Sequence, residues 1–223
     1  MDLNGDGIDD VVTGEYTPGN VYWFEGSKSG LKERRVIPES DAGTAAADPN
    51  DMRRWMSTAR FVDFDGDHDF DMIVGNVKGE VFLNRNEGTA QQFQFGKRVP
   101  LMEGSKPVKV QQKSDPWPVD WDGDGILDLL VGDECAGVTY FKGKGDGTFE
   151  EGRSVFSGNK IPLEGGFEVI SKRMGEDSGV PGYRLRVATT DWNQDGKLDL
   201  LVGNCEQVDG ETIGNVYLFL REE

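Results

Sequence analysis

The sequence predicts an all-β protein built from repeated four-stranded units, and three observations support this prediction. The chain has 31 glycines among 223 residues and 10% aromatic residues, a composition typical of many short strands joined by tight turns. Apolar residues show almost no helical periodicity. An acidic loop followed by an apolar run recurs four times, and internal repetition of this kind indicates a modular architecture.

The acidic loop defines the units of the repeat. Its copies read DLNGDGIDDVVTG, DFDGDHDFDMIVG, DWDGDGILDLLVG and DWNQDGKLDLLVG, starting at Asp2, Asp63, Asp120 and Asp191. Each copy has Asp or Asn at positions 1, 3, 5 and 9, and then four residues ending in glycine that predict a buried strand. One domain of four units is expected, with approximate boundaries 1–56, 57–113, 114–184 and 185–223.

Each unit is predicted to contain four short strands, with the acidic loop between the first two. Extended segments precede three loops, at 59–62, 116–119 and 186–189. Glycine-led strands follow all four, at 19–24, 79–83, 137–141 and 214–219. Weaker fourth strands are expected at 34–37, 92–99 and 148–156. A turn at Gly145-Asp146-Gly147 should lead into the last of these. Four strands in 57 to 71 residues suit a blade of a β-propeller with four-stranded antiparallel blades.

Two inserts and the ends of the repeat bear on how a ring would close. Asp48 and Pro49 could cap a short helix over 52–56, and the glycine-rich stretch 164–183 is expected to be a surface loop. The chain opens inside the first acidic loop and stops just after the glycine-led strand of the fourth unit. Four complete blades would need one more strand at each end. The expectation is a four-bladed ring, part of a larger ring, or a ring that a second copy completes.

The acidic loops are predicted to bind calcium, up to one ion each. Oxygen donors at positions 1, 3, 5 and 9 and the carbonyl at position 7 suit a hard cation. The predicted side-chain ligands are Asp2, Asn4, Asp6 and Asp10; Asp63, Asp65, Asp67 and Asp71; Asp120, Asp122, Asp124 and Asp128; and Asp191, Asn193, Asp195 and Asp199. The carbonyl donors are those of Ile8, Asp69, Ile126 and Lys197.

Two alternatives compete with calcium binding in these loops. An EF-hand needs Glu at position 12, where this chain has Thr13, Val74, Val131 and Val202, and it needs flanking helices. The other alternative is a tight turn without metal, but a turn does not require the Asp that returns at position 9. The single histidine, His68, stands at position 6 of the second loop, where we expect a turn residue with positive φ rather than a catalytic group.

The loop pattern D-x-[DN]-x-D-G-x-x-D, with its following strands, resembles FG-GAP/VCBS repeats over nearly the whole chain. The resemblance implies a calcium-binding β-propeller with an extracellular or periplasmic setting and adhesion or carbohydrate-related partners. His68 at position 6 and Gln194 at position 4 depart from the usual glycines.

The functional expectation is a non-catalytic module that binds an extracellular protein or carbohydrate, with structural calcium. The alternative is a propeller-type polysaccharide lyase or hydrolase, or a fragment of one, although the sequence has no nucleophile elbow and no Cys–His pairing. Trp55 and Trp117 lie outside the repeat register and are the candidates for a ligand face. Trp121 and Trp192 instead occupy position 2 of their loops, where packing between blades is expected. Cys135 and Cys205 could form a disulfide or stay as two thiols.

The net charge of −17 argues against nucleic acid as a partner, and no apolar run is long enough to insert into a membrane. The ligand positions hold three, four, four and three aspartates in the successive loops, fourteen in all. Without them the net charge would be −3. The acidity is therefore chiefly a property of the loops.

Overall fold

A computed structural model describes residues 1–40, 52, 54–134, 137–157, 167–170, 183–208 and 211–221. This part of the chain is all-β and contains no helix, so none of its elements is a helix that could cross a membrane. Its strands are β1 Val11–Gly14, β2 Val21–Phe24, β3 Arg35–Val36, β4 Thr58–Val62, β5 Asp71–Gly75, β6 Val81–Asn84, β7 Val99–Pro100, β8 Met102–Glu103, β9 Lys106–Pro107, β10 Asp115–Val119, β11 Asp128–Gly132, β12 Gly137–Phe141, β13 Arg153–Ser157, β14 Phe167–Ile170, β15 Tyr183–Thr190, β16 Asp199–Val208 and β17 Glu211–Arg221.

Four antiparallel sheets follow one another along the chain, which confirms the all-β prediction. The first has three strands in the order β1-β2-β3, and the second and third have four each, β4-β5-β6-β7 and β10-β11-β12-β13. A two-stranded hairpin, β8-β9, which the repeat pattern did not predict, lies between the second and third. In all four sheets the acidic loop ends at the start of the second strand of the repeat, as predicted.

The fourth sheet takes its outer strand from an insert. Its order is β14-β17-β16-β15, and β14 pairs antiparallel with β17 from Phe167 opposite Arg221 to Ile170 opposite Leu218. The sequence predicted an irregular surface loop over 164–183, so the strand at 167–170 corrects that prediction. Tyr183, at the end of the insert, is the first residue of β15, and residues 164–166 and 171–182 lie outside the described residues. The edge of β17 offers unpaired backbone groups, and β14 satisfies them although it precedes β15 in the chain.

Three hydrophobic cores lie between successive sheets. On β5, Met72 and Val74 pack toward the first sheet, whereas Ile73 packs toward the third. On β11, Leu129 and Val131 pack toward the second sheet, and Leu130 packs toward the fourth. Successive side chains of a strand point to opposite faces, so a strand buried on both faces needs an unbroken apolar run. This explains the apolar residues that end the second and third repeat motifs. The predicted buried strand is wrong for the first motif, because β1 lies in the first sheet, with no sheet before it among the described residues, and is mostly exposed.

The outer faces of the first and fourth sheets remain exposed. Val11 and Tyr16 are exposed on the first unit, and Trp192 and Val216 on the fourth, where Val216 is 74% exposed. In the described part of the chain, the three cores join neighbouring sheets only, and a closed ring is not seen.

Two local predictions have different outcomes. The hairpin turn at Gly145-Asp146-Gly147 is confirmed, since the Lys144 amide donates to the Thr148 carbonyl (3.0 Å) and Thr148 N to Asp146 Oδ1 (2.9 Å). The short helix over 52–56 is wrong where the structure describes it, because residues 54–56 form a bend and a turn. Its predicted cap, Asp48-Pro49, lies outside the described residues.

Candidate metal centres

The four acidic loops share one backbone conformation. They are loop 1 (2–10), loop 2 (63–71), loop 3 (120–128) and loop 4 (191–199), numbered as positions 1 to 9. The φ angles at position 4 are 70°, 82°, 80° and 62° for Gly5, Gly66, Gly123 and Gln194. At position 6 they are 85°, 73°, 84° and 87° for Gly7, His68, Gly125 and Gly196. Positive φ is costly for most L-residues, so glycine predominates. The expected turn conformation of His68 is confirmed.

The aspartate at position 1 holds each loop closed by accepting hydrogen bonds from the loop backbone. In loop 3, Gly123 N donates to Asp120 Oδ1 (2.9 Å) and Gly125 N to Asp120 Oδ2 (3.0 Å). In loop 4, the amides of Asp195 and Gly196 donate to Asp191 at 3.0 and 2.9 Å. Loops 1 and 2 have the same type of contact at Asp2 and Asp63. The tight loop by itself therefore fixes the first carboxylate.

The side chains at positions 1, 3 and 5 converge. In loop 2 one carboxylate oxygen from each of Asp63, Asp65 and Asp67 lies within 4.8 Å of the others. Asp120, Asp122 and Asp124 form the same cluster in loop 3. Loops 1 and 4 have asparagine at position 3, where Asn4 Nδ2 donates to Asp6 Oδ2 (3.3 Å) and Asn193 Nδ2 to Asp195 Oδ2 (3.0 Å).

The donors at position 7 lie beside these clusters. In every loop the position-7 amide donates to the position-5 carboxylate, at 2.9, 3.1, 2.9 and 2.9 Å for Ile8, Asp69, Ile126 and Lys197. In loop 2, Asp69 Oδ1 is buried and accepts no hydrogen bond from the described residues. Burial, followed by the charge of Asp67, raises the pKa of Asp69. Converging oxygen donors that carry several negative charges fit a hard divalent cation such as calcium.

The aspartates at position 9 are buried and bridge two parts of each unit. In loop 3, Asp128 Oδ2 accepts from Trp121 N (3.0 Å), and Asp128 Oδ1 accepts from Gly143 N (2.7 Å), just beyond β12. The corresponding contacts recur at Asp10, Asp71 and Asp199. Burial raises the pKa of Asp128, and burial together with the charge of Asp65 raises that of Asp71 to about 6.

Position 9 is therefore first a structural clamp. It lies outside the two converging carboxylate clusters. Each oxygen accepts one backbone hydrogen bond, and in loop 3 Asp128 Oδ2 also accepts one from the Tyr140 hydroxyl (3.1 Å), so a free lone pair for a cation remains on Asp128 Oδ1. The sequence singled out these aspartates as ligands but did not reveal the two backbone hydrogen bonds that each one accepts.

Two basic side chains, which the loop pattern did not predict, contact the clusters. Lys142 Nζ lies 2.7 Å from Asp124 Oδ2 and also pairs with Asp122. Arg85 pairs with Asp65 of loop 2. Both residues directly follow the glycine-led strand of their unit, where the sequences read Phe-Lys-Gly and Asn-Arg-Asn. Hydrogen bonding to Lys142 lowers the pKa of Asp124.

The tryptophans occupy different environments. Trp117 Nε1 donates to Thr189 Oγ1 (2.9 Å), and the Arg60 guanidinium lies 5.3 Å from the Trp117 ring centroid. Trp117 thus contacts both neighbouring units, while Trp55 is half-buried ahead of β4. At position 2, Trp121 is 7% exposed in the core between the third and fourth sheets, whereas Trp192 is 61% exposed. Cys205 is a free thiol, and Cys135 lies outside the described residues.

Comparisons with known proteins bear on the repeat. The family model for the FG-GAP-like repeat matches residues 2–74 and 120–202, more than half of the chain. A search of curated protein sequences gives no match. One similar solved structure is a lectin from Agrocybe aegerita, described as specifically recognising non-reducing terminal N-acetylglucosamine. Identity to it is 20%, with a TM-score of 0.48, over 96% of this chain and 50% of the lectin chain. The chain thus spans about half the length of that lectin, and we transfer no ligand from it.

Proposed function

This chain belongs to the FG-GAP-like repeat family, and we propose that it is a non-catalytic ligand-binding module of the β-propeller type, stabilised by calcium. The observation that carries the proposal is the common conformation of the four acidic loops. In two of them three carboxylates converge within 4.8 Å, and the single positive charge of Arg85 or Lys142 compensates only part of their mutual repulsion.

We assign one calcium ion to each loop. The side chains at positions 1, 3 and 5 form the principal ligands, the position-7 carbonyl adds a further oxygen, and the position-9 aspartate completes the set from the start of the following strand. Lys142 and Arg85 are displaced from the clusters that they contact. Calcium then holds the loop between the first two strands of each unit, and its role is to stabilise the fold rather than to take part in a reaction.

We assign the four sheets to four blades. The exposed faces of the first and fourth units, at Val11 and Tyr16 and at Trp192 and Val216, support a ring that extends further. A second copy of the chain is the proposed occupant, placing its first unit against the fourth unit of its partner. The junctions between units of the chain bury the position-2 residues Leu3 and Trp121. The position-2 residue of the fourth unit, Trp192, is exposed.

The proposed ligand is an extracellular protein or carbohydrate, and the proposed location is extracellular or periplasmic. Modules with calcium dissociation constants of about 10⁻⁴ to 10⁻³ M need the millimolar calcium found outside cells. At such concentrations each site stabilises the fold by roughly 0.4–1.4 kcal/mol. Trp55 and Trp117 remain the proposed ligand-face residues, Trp55 being the more available because Trp117 packs against Arg60 and Thr189.

The decisive experiment is a thermal melt of the purified chain in 5 mM calcium chloride, in 5 mM magnesium chloride and in EDTA. We expect the melting temperature to be highest in calcium and lowest in EDTA. A melting temperature indifferent to all three would refute the calcium assignment. The same sample, incubated with polyuronates, should release no unsaturated sugar. Calcium-dependent release would show that the chain is a polysaccharide lyase and would refute the non-catalytic proposal.

A further inference from the structure

We propose that Lys142 and Arg85 are resident counter-ions of loops 3 and 2, so that the four calcium loops fall into two affinity classes. In this arrangement loops 1 and 4 bind calcium without a competitor, whereas calcium entering loops 2 and 3 must displace a basic side chain. The inference rests on the proposed calcium binding and concerns the regulation of the same sites.

The contacts in loop 3 are the strongest support. Lys142 Nζ pairs with Asp122 and Asp124, the ligands at positions 3 and 5, and its side chain is only 29% exposed. An ammonium group on these oxygens occupies the region where a calcium ion would be coordinated. Calcium requires the carboxylate oxygens at 2.3–2.6 Å, so the ion and the ammonium group cannot share them.

Loop 2 has a matching arrangement. Arg85 follows β6 as Lys142 follows β12, and it pairs with Asp65 at position 3. The Arg85 guanidinium also lies 5.9 Å from the ring centroid of Phe64, which sits at position 2 of the same loop. A guanidinium that contacts both a ligand and a loop aromatic is held near the cluster, although only one carboxylate is engaged here.

Loops 1 and 4 lack this feature. The position that corresponds to Arg85 and Lys142 is Glu25 in the first unit and Leu220 in the fourth. Glu25 is itself paired with Lys32 (2.6 Å) and with Arg35. Within the described part of the chain, no ion pair reaches a ligand-position carboxylate of loop 1 or loop 4; the amino terminus pairs with Asp9, at position 8.

The charges divide the loops in the same way. Loops 2 and 3 have aspartate at all four side-chain ligand positions, and loops 1 and 4 have three aspartates and one asparagine. The extra carboxylate occurs only where a basic side chain is present to compensate it. Four aspartates and one basic side chain give a net charge of −3 in loops 2 and 3, the same charge as the three ligand aspartates of loops 1 and 4, so the loops differ in whether a competing cation is present.

Isothermal titration calorimetry of the whole chain with calcium tests this inference. We expect two stronger and two weaker sites in the native chain, and Lys142→Met should strengthen one weaker site about fivefold, the factor that corresponds to one exposed ion pair. Arg85→Met should do the same for the other. The matched control is Lys144→Met, which removes the same charge two residues away, at an exposed position. It should leave the isotherm unchanged.

A gain-of-charge variant keeps the test independent of how Lys142→Met folds. Leu220→Lys places an ammonium group beside loop 4 and should weaken one strong site about fivefold. If the native chain binds calcium but neither Lys142→Met nor Leu220→Lys changes any affinity, the counter-ion inference is wrong and the calcium proposal stands. If the native chain binds no calcium, the proposed function itself fails.

Discussion

Glu39 Oε2 lies 2.8 Å from Arg98 Nε, and the two side chains are only 2% and 5% exposed. This buried ion pair joins residues 59 positions apart and ties the first unit to the second. Arg54 Nη1 reaches Glu39 Oε1 at 2.9 Å, and Asn84 Nδ2 donates to Glu39 Oε2 at 3.0 Å. Every oxygen of this carboxylate is thereby hydrogen-bonded, as a buried charge requires.

Replacing Glu39 should weaken the junction between these units. Glu39→Gln leaves two arginines facing a neutral amide, and breaking a buried pair by removing one partner costs about 3–5 kcal/mol. Urea denaturation measures the loss, and Glu33→Gln, at an exposed site in the same unit, is the control and should change stability by less than about 0.5 kcal/mol. Equal losses in the two variants would show that the buried cluster has no special role.

The same cluster predicts that the free energy of unfolding decreases at acidic pH. Burial alone would raise the pKa of Glu39, but hydrogen bonds and charges from Arg98 and Arg54 outweigh it and hold the pKa below 4.5. A lowered pKa in the folded state stabilises the fold above pH 4.5, and this contribution disappears as the pH falls through the folded pKa. Chemical denaturation between pH 7 and pH 3 should show a steeper acid loss for the native chain than for Glu39→Gln.

Position 9 and position 3 of an acidic loop should respond differently to neutralisation. Asp128→Asn turns an amide group toward one of the backbone N–H donors, Trp121 or Gly143, so it should cost about 1–3 kcal/mol even in EDTA. Asp122→Asn removes the partly exposed ion pair to Lys142 and weakens the long contact from the Tyr140 hydroxyl (3.4 Å), whereas the amide oxygen of Asn can still accept from Asp124 N. In EDTA it should therefore cost about 1 kcal/mol or less, and its main effect should be weaker calcium binding. Thermal melts of both variants with and without calcium distinguish the structural role of Asp128 from the ligand role of Asp122.

The loop backbone gives a fourth prediction. Gly125 has a φ of 84° and no atom within 4 Å of an added Cβ, so Gly125→Ala tests conformation without a clash. The left-handed conformation should cost about 1–2 kcal/mol. The reverse change, His68→Gly, should stabilise loop 2 by less than about 1 kcal/mol. Glycine removes the backbone strain at this positive φ, but it also raises the conformational entropy of the unfolded chain, which offsets part of the gain. Gly214→Ala, on a strand without positive φ, is the control and should not destabilise the chain.

Much of the fold could be predicted because its signals are local. The apolar run Met72-Ile73-Val74 indicates a strand buried on both faces, and the turn residues at positions 4 and 6 indicate the loop conformation. The pairing of β14 with β17 could not be predicted in this way. It depends on which free edge an insert meets in three dimensions, and nothing in the residues 167–170 specifies β17.

In the candidate site too, the local features could be predicted and the long-range contacts could not. Spacing alone indicates the oxygen donors, since they lie within nine residues of each other. The contacts of Lys142 with Asp122 and Asp124 cross 18 to 20 residues and depend on the hairpin geometry, so no local pattern indicates them directly. The equivalent place of Arg85 in the preceding unit is a usable clue, because aligning the units beyond the loops puts both cations at one repeat position.

The two position-2 tryptophans test whether a second copy completes the ring. Trp121 fills the core between the third and fourth sheets, so Trp121→Ala should cost about 3–5 kcal/mol in urea denaturation. Trp192 has the same repeat position but is exposed, so Trp192→Ala should leave the stability of the single chain nearly unchanged.

If a second copy covers this face, Trp192 is a central contact whose loss should weaken association by at least about 30-fold, equivalent to about 2 kcal/mol. Sedimentation velocity across a concentration series measures that change. If the native chain and Trp192→Ala are both monomeric at every concentration, closure by a second copy is contradicted. The control is Val99→Ala, at another exposed apolar site. A dimer that is lost in Trp192→Ala but kept in Val99→Ala would support closure.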